Sequence, residues 1–299
     1  MVRFSHILIF TLLAAPAVAE VPFGFSTRVA CDAQHGVVGF AKEVAVLALG
    51  EDQIPLSQAI SASGARYVSG EGDVEFWIKG DAASLEIGGA SQSCTLTQRP
   101  WVARGNEPGW LITVADGRLK ALLEYGTREL ELTPPEAELR DGALWYDLPE
   151  MEITVEKALC HDDMTGRPYP EQVMLDLEGT TLRGCAGNTM DLLTGREWRI
   201  EDIMGQGVVD NSQTTLLVGA DGHLSGKASC NRYMGQMGLT GEGLDIGPLA
   251  STRMMCPEAL MAQETRYLSA LQSVDRFDID ETGALVLYSL DQAVITARR

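Results

Sequence analysis

The stretch Ser61–Asp81, SASGARYVSGEGDVEFWIKGD, decides how the first part of this chain folds. Two runs rich in aromatic and β-branched residues, Ala65–Ser69 and Asp73–Lys79, flank the short glycine loop Gly70–Gly72. Runs of this kind around a short glycine-containing loop predict a β-hairpin. We therefore expect antiparallel β structure in this part of the chain.

The register of this hairpin determines which side chains share a face. If Gly70–Gly72 form the whole loop, the expected opposite pairs are Ser69 and Asp73, Tyr67 and Glu75, Ala65 and Trp77, and Ser63 and Lys79. Side chains along a strand alternate between faces. The expected core face consists of Val68, Val74, Phe76 and Ile78. The opposite face is expected to present Ser63, Tyr67, Trp77 and Lys79, with a hydroxyl beside an ammonium at the open end.

Two motifs of this hairpin resemble a known protein family. SASGARY at 61–67 and FWIKGD at 76–81 are similar to the membrane-bound and periplasmic inhibitors of c-type lysozyme, the MliC/PliC family. The resemblance covers roughly residues 28–98, with a cysteine near each end. It implies a small β-barrel whose partner is a c-type lysozyme.

The same resemblance implies roles for particular residues. Ser63 and Lys79 are expected to enter the lysozyme cleft and to engage its two catalytic carboxyl groups. Flanking contacts are expected from Gly64, Arg66, Tyr67 and Trp77. The hairpin is longer than the family pattern by one residue in each arm, which is expected to keep Ser63 opposite Lys79. The alternative is a surface hairpin whose serine and lysine have no such role.

Residues 1–19 are predicted to form an export signal. The apolar run Ile7–Ala15 is too short to span a bilayer, and Ala17–Ala19 fits the small-x-small cleavage rule before Glu20. No cysteine lies at the cleavage point, so we expect no lipid anchor. The mature chain is predicted to be periplasmic, without stable membrane insertion; a retained signal anchor is the alternative.

The six cysteines indicate disulfides, because an exported chain resides in an oxidising compartment. Composition alone does not choose among the many pairings. The cysteines fall in three successive segments, and pairing them in order predicts the bridges Cys31–Cys94, Cys160–Cys185 and Cys230–Cys256. The competing interpretation is a metal site, which the absence of CxxC and the scattered histidines disfavour. We expect neither a metal nor a cofactor.

Charge narrows the choice of partner. The net charge is −19, and acidic residues outnumber basic ones in every segment. Nucleic acid is therefore not an expected partner, because phosphate contact needs clustered Lys and Arg. A basic protein such as c-type lysozyme is favoured, since opposite fields accelerate encounter. Acidity that serves solubility alone is the alternative.

The chain is long enough for three domains, which we place at residues 20–98, 99–194 and 195–299. In the middle domain, short strands separated by turns predict a small antiparallel sheet or barrel. Its motifs RGNEPGW, CxDxMTGxxYP and LxGC resemble an uncharacterised family of small exported bacterial domains. Asp162 and Asp163 beside His161 suit catalysis less than turn hydrogen bonds, which are usual for Asp in a Gly/Pro loop.

The last segment resembles the META domain of the heat-shock protein HslJ. The resemblance rests on SGKASCNRYMG at 225–235, LASTRMMCPEALMAQE at 249–264 and YLSAL at 267–271. It implies an α+β module linked to envelope stress, with no established chemistry. Ser229 departs from the family, which has glycine before CN, so the turn there is expected to be strained or built differently.

Local patterns add detail to this segment. Trp198–Ile203 and Leu244–Leu249 read as strands, Gly222–Gly226 reads as a turn, and a helix is predicted with Pro257 at its first position. The expected apolar helix face consists of Leu260, Met261, Tyr267, Leu268 and Leu271. Asn231 and Arg253 flank two cysteines and are expected to hydrogen-bond the loops around a disulfide rather than form a polar site. Met254, Met255 and Met261 are expected in the core rather than at a metal.

These observations predict a mainly β, three-domain exported protein with one disulfide per domain and an α+β third domain. The predicted function is periplasmic inhibition of c-type lysozyme through Ser63 and Lys79. The alternative is an envelope-stress or assembly module without inhibitory activity. An enzyme is not expected, because GxSxG, HExxH and Walker motifs are absent from the sequence.

Overall fold

The computed structural model describes residues 24–32, 34–49, 52–241 and 243–299. Within these residues, three antiparallel β assemblies follow one another along the chain: a closed barrel and two large sheets. The mainly β architecture and the three predicted disulfides are confirmed. The predicted signal peptide lies outside the described residues.

The first eight strands form the barrel, in which each strand pairs with the next and the last pairs with the first. Their bounds are β1 (Thr27–Cys31), β2 (Gln34–Ala41), β3 (Val44–Leu49), β4 (Asp52–Ala59), β5 (Ala65–Ser69), β6 (Val74–Lys79), β7 (Ala82–Ile87) and β8 (Ala90–Gln98). Leu47, Phe76 and Leu85 are fully buried inside it. Cys31 and Cys94 are direct partners on β1 and β8, so their disulfide staples the strand pair that closes the barrel.

The second assembly is a nine-stranded sheet in the order β12-β11-β10-β9-β19-β18-β15-β14-β13. Its strands are β9 (Trp101–Asn106), β10 (Gly109–Ala115), β11 (Arg118–Leu123), β12 (Arg128–Leu132), β13 (Glu138–Arg140), β14 (Ala143–Leu148), β15 (Met151–Glu156), β18 (Glu171–Leu177) and β19 (Thr180–Ala186). A short 3-10 turn spans Glu124–Gly126. A two-stranded ribbon, β16 (Cys160–His161) with β17 (Pro168–Tyr169), is tied to β19 by the Cys160–Cys185 disulfide.

The third assembly combines a sheet with a helix, as the predicted α+β module requires. Its strands are β20 (Trp198–Ile203), β21 (Thr215–Val218), β22 (His223–Lys227), β23 (Arg232–Leu239), β24 (Leu244–Ile246), β25 (Ala250–Ser251), β26 (Arg276–Ile279), β27 (Leu285–Ser289) and β28 (Gln292–Arg298). The sheet order is β24-β23-β22-β21-β20-β28-β27-β26, with β25 on β23. The short helix α1 (Met190–Leu193) precedes it, and α2 (Glu258–Gln272) packs on its core through Tyr267 and Leu271.

Three local predictions in this assembly are wrong. Residues 223–227 form strand β22 rather than a turn, because pairing with β21 and β23 outweighs the turn preference of Gly and Ser. Pro257 precedes the helix instead of opening it. On the helix, Met261 is 41% exposed, whereas Gln263 is fully buried because its amide hydrogen-bonds Ser212, Thr214, Ser229 and the backbone of Val209.

The chain just before the barrel packs on the second sheet. The ring of Phe25 stacks on Tyr146 with centroids 3.8 Å apart and meets the edge of Trp101 at 4.9 Å. The backbone N–H of Gly24 donates to Glu171 Oε1 at 3.1 Å. Gly24 and Phe25 thus pack against the core of the second sheet and join the barrel to it.

Glu171 is a buried acid at this junction. It is 2% exposed, and its Oε2 accepts a 2.6 Å hydrogen bond from Trp101 Nε1. Loss of hydration raises the pKa of Glu171 to about 7, against the hydrogen bonds from Trp101 and Gly24. Nearby Asp191 raises the pKa further and Arg99, which pairs with Asp191 at 2.6 Å, lowers it. The junction therefore contains a group that titrates near neutral pH.

Candidate functional site

The hairpin of β5 and β6 carries the predicted lysozyme-binding residues, but its register differs by one residue from the prediction. Arg66 lies opposite Trp77, and Tyr67 lies opposite Phe76. The Ser69 hydroxyl donates to Asp73 Oδ1 at 2.6 Å and accepts from the backbone N–H of Val74 at 3.0 Å. These bonds make Asp73 a member of the loop, which runs from Gly70 to Asp73.

A slip of one residue turns each β5 side chain to the other face. Tyr67 points into the barrel, where it is 6% exposed and lies beside Phe40 with ring centroids 5.5 Å apart. Burial, with a smaller effect of Glu136, raises the pKa of its hydroxyl. The predicted outward position of Tyr67 is therefore wrong, and Val68, predicted in the core, lies opposite Glu75 on the outer face.

At the open end of the hairpin, Gly64 brings the loop close to β6. Its φ is +72°, and a Cβ there would come within 2.2 Å of the Ile78 carbonyl oxygen and 2.9 Å of Lys79 Cγ. Any other residue would clash with the backbone of β6 and strain its own. The Ser61 hydroxyl donates to the Gly64 carbonyl at 2.8 Å and so braces the loop from the other side.

Trp77 contacts both predicted functional residues. Its Nε1 donates a 2.8 Å hydrogen bond to the carbonyl oxygen of Ser63, and the Lys79 ammonium lies 3.7 Å from the centroid of its ring. Ser63 and Lys79 are both exposed. The structure thus brings Ser63 and Lys79 together on one indole ring, although they are not direct partners across the strands.

The two cations of the hairpin differ in their partners. Arg66 pairs with Glu75 at 2.6 Å, which raises the pKa of the guanidinium and lowers that of the carboxyl group. The pair is partly exposed, so solvent screening keeps its contribution to stability small. No carboxylate forms an ion pair with Lys79 in the described part of the chain. Its ammonium is therefore available to an acidic group of a partner.

The acidic loop of the second sheet has the hydrogen bonds of a turn. Asp162 Oδ1 accepts from the backbone N–H groups of Met164 and Thr165 and from the Thr165 hydroxyl. Burial alone would raise the pKa of Asp162, but these bonds and one from Asn106 outweigh it, and the net pKa is lowered. His161 Nε2 lies 2.8 Å from Asp278 Oδ1 and links this loop to the third sheet. Asp162 thus supports the loop.

The segment around the third disulfide is held by Asn231. Its Oδ1 accepts from the Met254 N–H and the Thr252 hydroxyl, and its Nδ2 donates to Glu264. Ser229, just before it, has a φ of +85°, the left-handed conformation that the family glycine would adopt more easily.

The methionines near this disulfide correct one prediction. Met254, Met255 and Met261 are exposed by 57%, 91% and 41%, so they do not lie in the core. Among the residues that the structure describes, no group of three or more His, Cys, Asp or Glu could hold a metal ion. Within the same residues, no helix has the length and apolar character needed to cross a membrane.

Comparisons with known families identify two parts of the chain. A family model described as membrane-bound lysozyme-inhibitor of c-type lysozyme, MliC, matches residues 30–93, and the META domain model matches residues 191–299. The chain therefore carries an MliC domain and a META domain, and the resemblances of the first and last segments to these families are confirmed. The MliC family is periplasmic or membrane-bound and binds c-type lysozyme, and neither family is enzymatic. The region between the two matches is uncharacterised.

Comparisons with whole proteins add less. The chain is similar to a solved structure described as the NMR structure of the protein from Burkholderia xenovorans, with 29% sequence identity. The match covers 36% of this chain and 84% of that one, with a TM-score of 0.32. No curated protein matches the chain.

Proposed function

We propose that this protein is a periplasmic inhibitor of c-type lysozyme that places Ser63 and Lys79 in the active-site cleft of the enzyme. The observation that carries the proposal is the open end of the hairpin, where Trp77 contacts the backbone carbonyl of exposed Ser63 and the ammonium of exposed Lys79, which has no ion pair among the described residues. Both residues fall within the MliC match at residues 30–93. Gly64, Arg66 and Trp77 surround them on the outer face. Tyr67 is buried in the barrel core, so we do not propose it as a contact.

The chemistry of the target suits these two groups. Lysozyme cleaves its substrate with a carboxylic acid of raised pKa and a second carboxylate that stays ionised. An ammonium between them would stabilise both ionised forms and so oppose the protonated acid that the reaction needs. A serine hydroxyl can donate a further hydrogen bond to either carboxylate. Occupation of the cleft would at the same time exclude the polysaccharide.

The energetics of binding favour Lys79 over Arg66 as the inserted cation. Arg66 would have to leave the carboxylate of Glu75, whereas Lys79 has no ion pair to break among the described residues. Burying an ammonium costs hydration, which an ion pair offsets only when its geometry is good. A hairpin fixed within a closed barrel lowers a separate cost, the loss of conformational entropy, because little further ordering is needed on binding.

Long-range electrostatic attraction between the two proteins also favours binding. The chain carries a net charge of −19, and c-type lysozymes are commonly basic, so the two proteins attract each other before contact. This attraction accelerates association and weakens with salt. At short range the charges are reversed, because the inhibitor supplies the cation and the enzyme supplies the carboxylates. The two effects can therefore be separated by experiment.

A lysozyme assay with the purified mature chain tests the proposal. Lysis of a bacterial cell-wall suspension by a c-type lysozyme should slow in proportion to the inhibitor added, up to an equimolar ratio. Full lysozyme activity at a large excess of folded protein would contradict the proposal. That result would favour the alternative, an envelope-stress or assembly module without inhibition.

We further propose cleavage after Ala19 and release without a lipid anchor, because Ala17–Ala19 fits the cleavage rule and the residue at the cleavage point is Glu20 rather than cysteine. The proposed domains are 20–98, 99–194 and 195–299, and each contains one disulfide. Mass spectrometry of the protein from a periplasmic extract would show an unmodified N-terminal Glu20.

A further inference from the structure

We infer that Trp77 is a positioning residue that sets the spacing and orientation of Ser63 and Lys79, an inference that rests on the proposed function. The two residues belong to different parts of the hairpin. Ser63 lies in the bend between β4 and β5, and Lys79 is the last residue of β6. Their relative position therefore depends on whatever connects the bend to the strand.

Trp77 makes that connection through two parts of one rigid ring, its N–H group and its face. Indole has one N–H donor, and here it is used on the Ser63 carbonyl at 2.8 Å. This bond fixes the plane of the ring. The Lys79 ammonium lies 3.7 Å from the ring centroid, where the negative face of the indole attracts a cation. The orientation that holds the serine thus also determines where the ammonium lies.

The backbone of Trp77 is well anchored, which makes it a suitable reference point. Its strand pairs on both sides, with Arg66 as its partner on β5 and Ser84 as its partner on β7. The neighbouring Phe76 is fully buried in the barrel core. By contrast, both Ser63 and Lys79 are exposed, and a free lysine side chain populates many rotamers. Because Trp77 is held by the barrel, its contacts restrict the positions of the two exposed residues.

Gly64 and Trp77 act on the same bend in different ways. The missing side chain of Gly64 lets the bend approach the carbonyl of Ile78, which brings the Ser63 carbonyl within reach of the indole. The Ser61 hydroxyl stabilises the bend internally through the Gly64 carbonyl. Among the side-chain hydrogen bonds of the described residues, the one from Trp77 joins this bend to β6.

This arrangement assigns Trp77 a contribution to affinity that needs no contact with lysozyme. A pair of groups held at a fixed spacing loses less conformational freedom on binding than a mobile pair. Removing only the N–H group should therefore loosen Ser63 and weaken binding, while Ser63 and Lys79 themselves remain. A Trp77 that merely packed against lysozyme would leave the free hairpin unchanged when altered.

The test compares Trp77→Phe, which removes the N–H group and keeps a ring, with Trp145→Phe as a matched control. Trp145 is also a half-buried strand tryptophan beneath a cation, since Arg140 lies 4.9 Å from its ring, but it belongs to the second sheet. The first readout is nitrogen-15 relaxation of the Ser63 and Gly64 amides in the free protein. The second is the affinity for a c-type lysozyme by calorimetry.

We expect Trp77→Phe to lower the order of the two amides and to weaken binding roughly 2-fold to 12-fold, the range for one lost hydrogen bond. Trp145→Phe should change neither. Weaker binding with unchanged amide order would make Trp77 a direct contact and overturn the inference, as would no change in either readout. Lys79→Ala is measured in the same series. If it binds normally, the proposed function fails, while amide order still decides whether Trp77 holds the bend.

Discussion

Replacing Lys79 by alanine should remove most of the affinity for lysozyme and little of the stability of the fold. In the free protein the ammonium lies on the ring of Trp77 and pairs with no carboxylate among the described residues. An exposed cation–π contact of this kind is worth ~0.5–1 kcal/mol. In the complex, truncating one partner of a desolvated charge pair costs ~2–5 kcal/mol. That loss corresponds to roughly 30-fold to several-thousand-fold in the dissociation constant.

The long-range electrostatic effect of Lys79→Ala should favour binding, so it cannot account for the loss of affinity that we predict. Lys79→Ala makes an already acidic protein more negative, so the general attraction to a basic enzyme increases slightly. Any loss of affinity must then come from the short-range contact. Lys227→Ala is a suitable control, because Lys227 is an exposed strand lysine whose partner is the neutral side chain of Gln213. It makes the same change in net charge on the third sheet instead of on the hairpin.

Calorimetric titration of a c-type lysozyme with the wild type and both variants gives the dissociation constants, and thermal melting checks the fold. We expect a large loss for Lys79→Ala, none for Lys227→Ala, and melting temperatures close to the wild type for both. Wild-type affinity in a folded Lys79→Ala protein would refute cleft insertion by this residue. Equal losses in the two variants would contradict a specific role for Lys79, because the change in net charge alone predicts slightly tighter binding.

Three further predictions follow from the structure. Ser63→Ala should weaken binding about 10-fold to 150-fold, the range for a lost hydrogen bond to a charged group, whereas Ser57→Ala on the same barrel should not; calorimetry measures both. Residues 20–98 alone should fold and inhibit lysozyme, because all eight barrel strands and the first disulfide lie within them. Phe25 would lose its packing partners in this fragment. A folded but inactive fragment would show that the site needs another domain. The unfolding free energy of the second sheet should fall as pH rises from about 4.5 to about 7 because of Glu171, which urea denaturation followed by tryptophan fluorescence would detect.

The sign of the Glu171 effect follows from its raised pKa. Between pH 4.5 and about 7 the unfolded chain releases the proton of this carboxyl group, while the folded protein still holds it. Stability from this group is therefore fully present below the unfolded pKa and is lost as pH rises through about 7, by up to ~3 kcal/mol. Glu171→Gln should flatten this part of the profile. The same pH dependence in variant and wild type would contradict the assignment.

Much of the hairpin could be predicted from its sequence. Strand β5 begins and ends where the aromatic and β-branched pattern places it, and β6 begins one residue later. The register could not be predicted, because it depends on the Ser69–Asp73 hydrogen bond within the loop. Since faces alternate along a strand, that single slip exchanged Tyr67 and Val68 between core and surface. Ser63 and Lys79 still came together, because Trp77 and not the register joins them.

Other parts of the fold depend on contacts between residues far apart in the sequence. Gln263 is fully buried in α2 because its partners, among them Ser212 and Thr214, come from a distant segment just before β21. Helical periodicity predicts Met261 on the apolar face, but it cannot predict hydrogen bonds to residues far away in the sequence. Phe25 likewise precedes the barrel in sequence and belongs to the core of the second sheet. Periodicity identifies elements, whereas these positions are determined by tertiary packing.

The closure of the barrel between β1 and β8 has a consequence for how the barrel is connected to the rest of the chain. Thr27 and Gln98 are direct partners, so the chain enters and leaves the barrel at neighbouring points. Just outside these points, Phe25 and Trp101 touch each other in the core of the second sheet. The barrel is thus a unit whose two connections to the second sheet lie next to each other. Removal of the whole barrel would therefore leave two chain ends close enough to be joined directly, without cutting any strand of the second sheet.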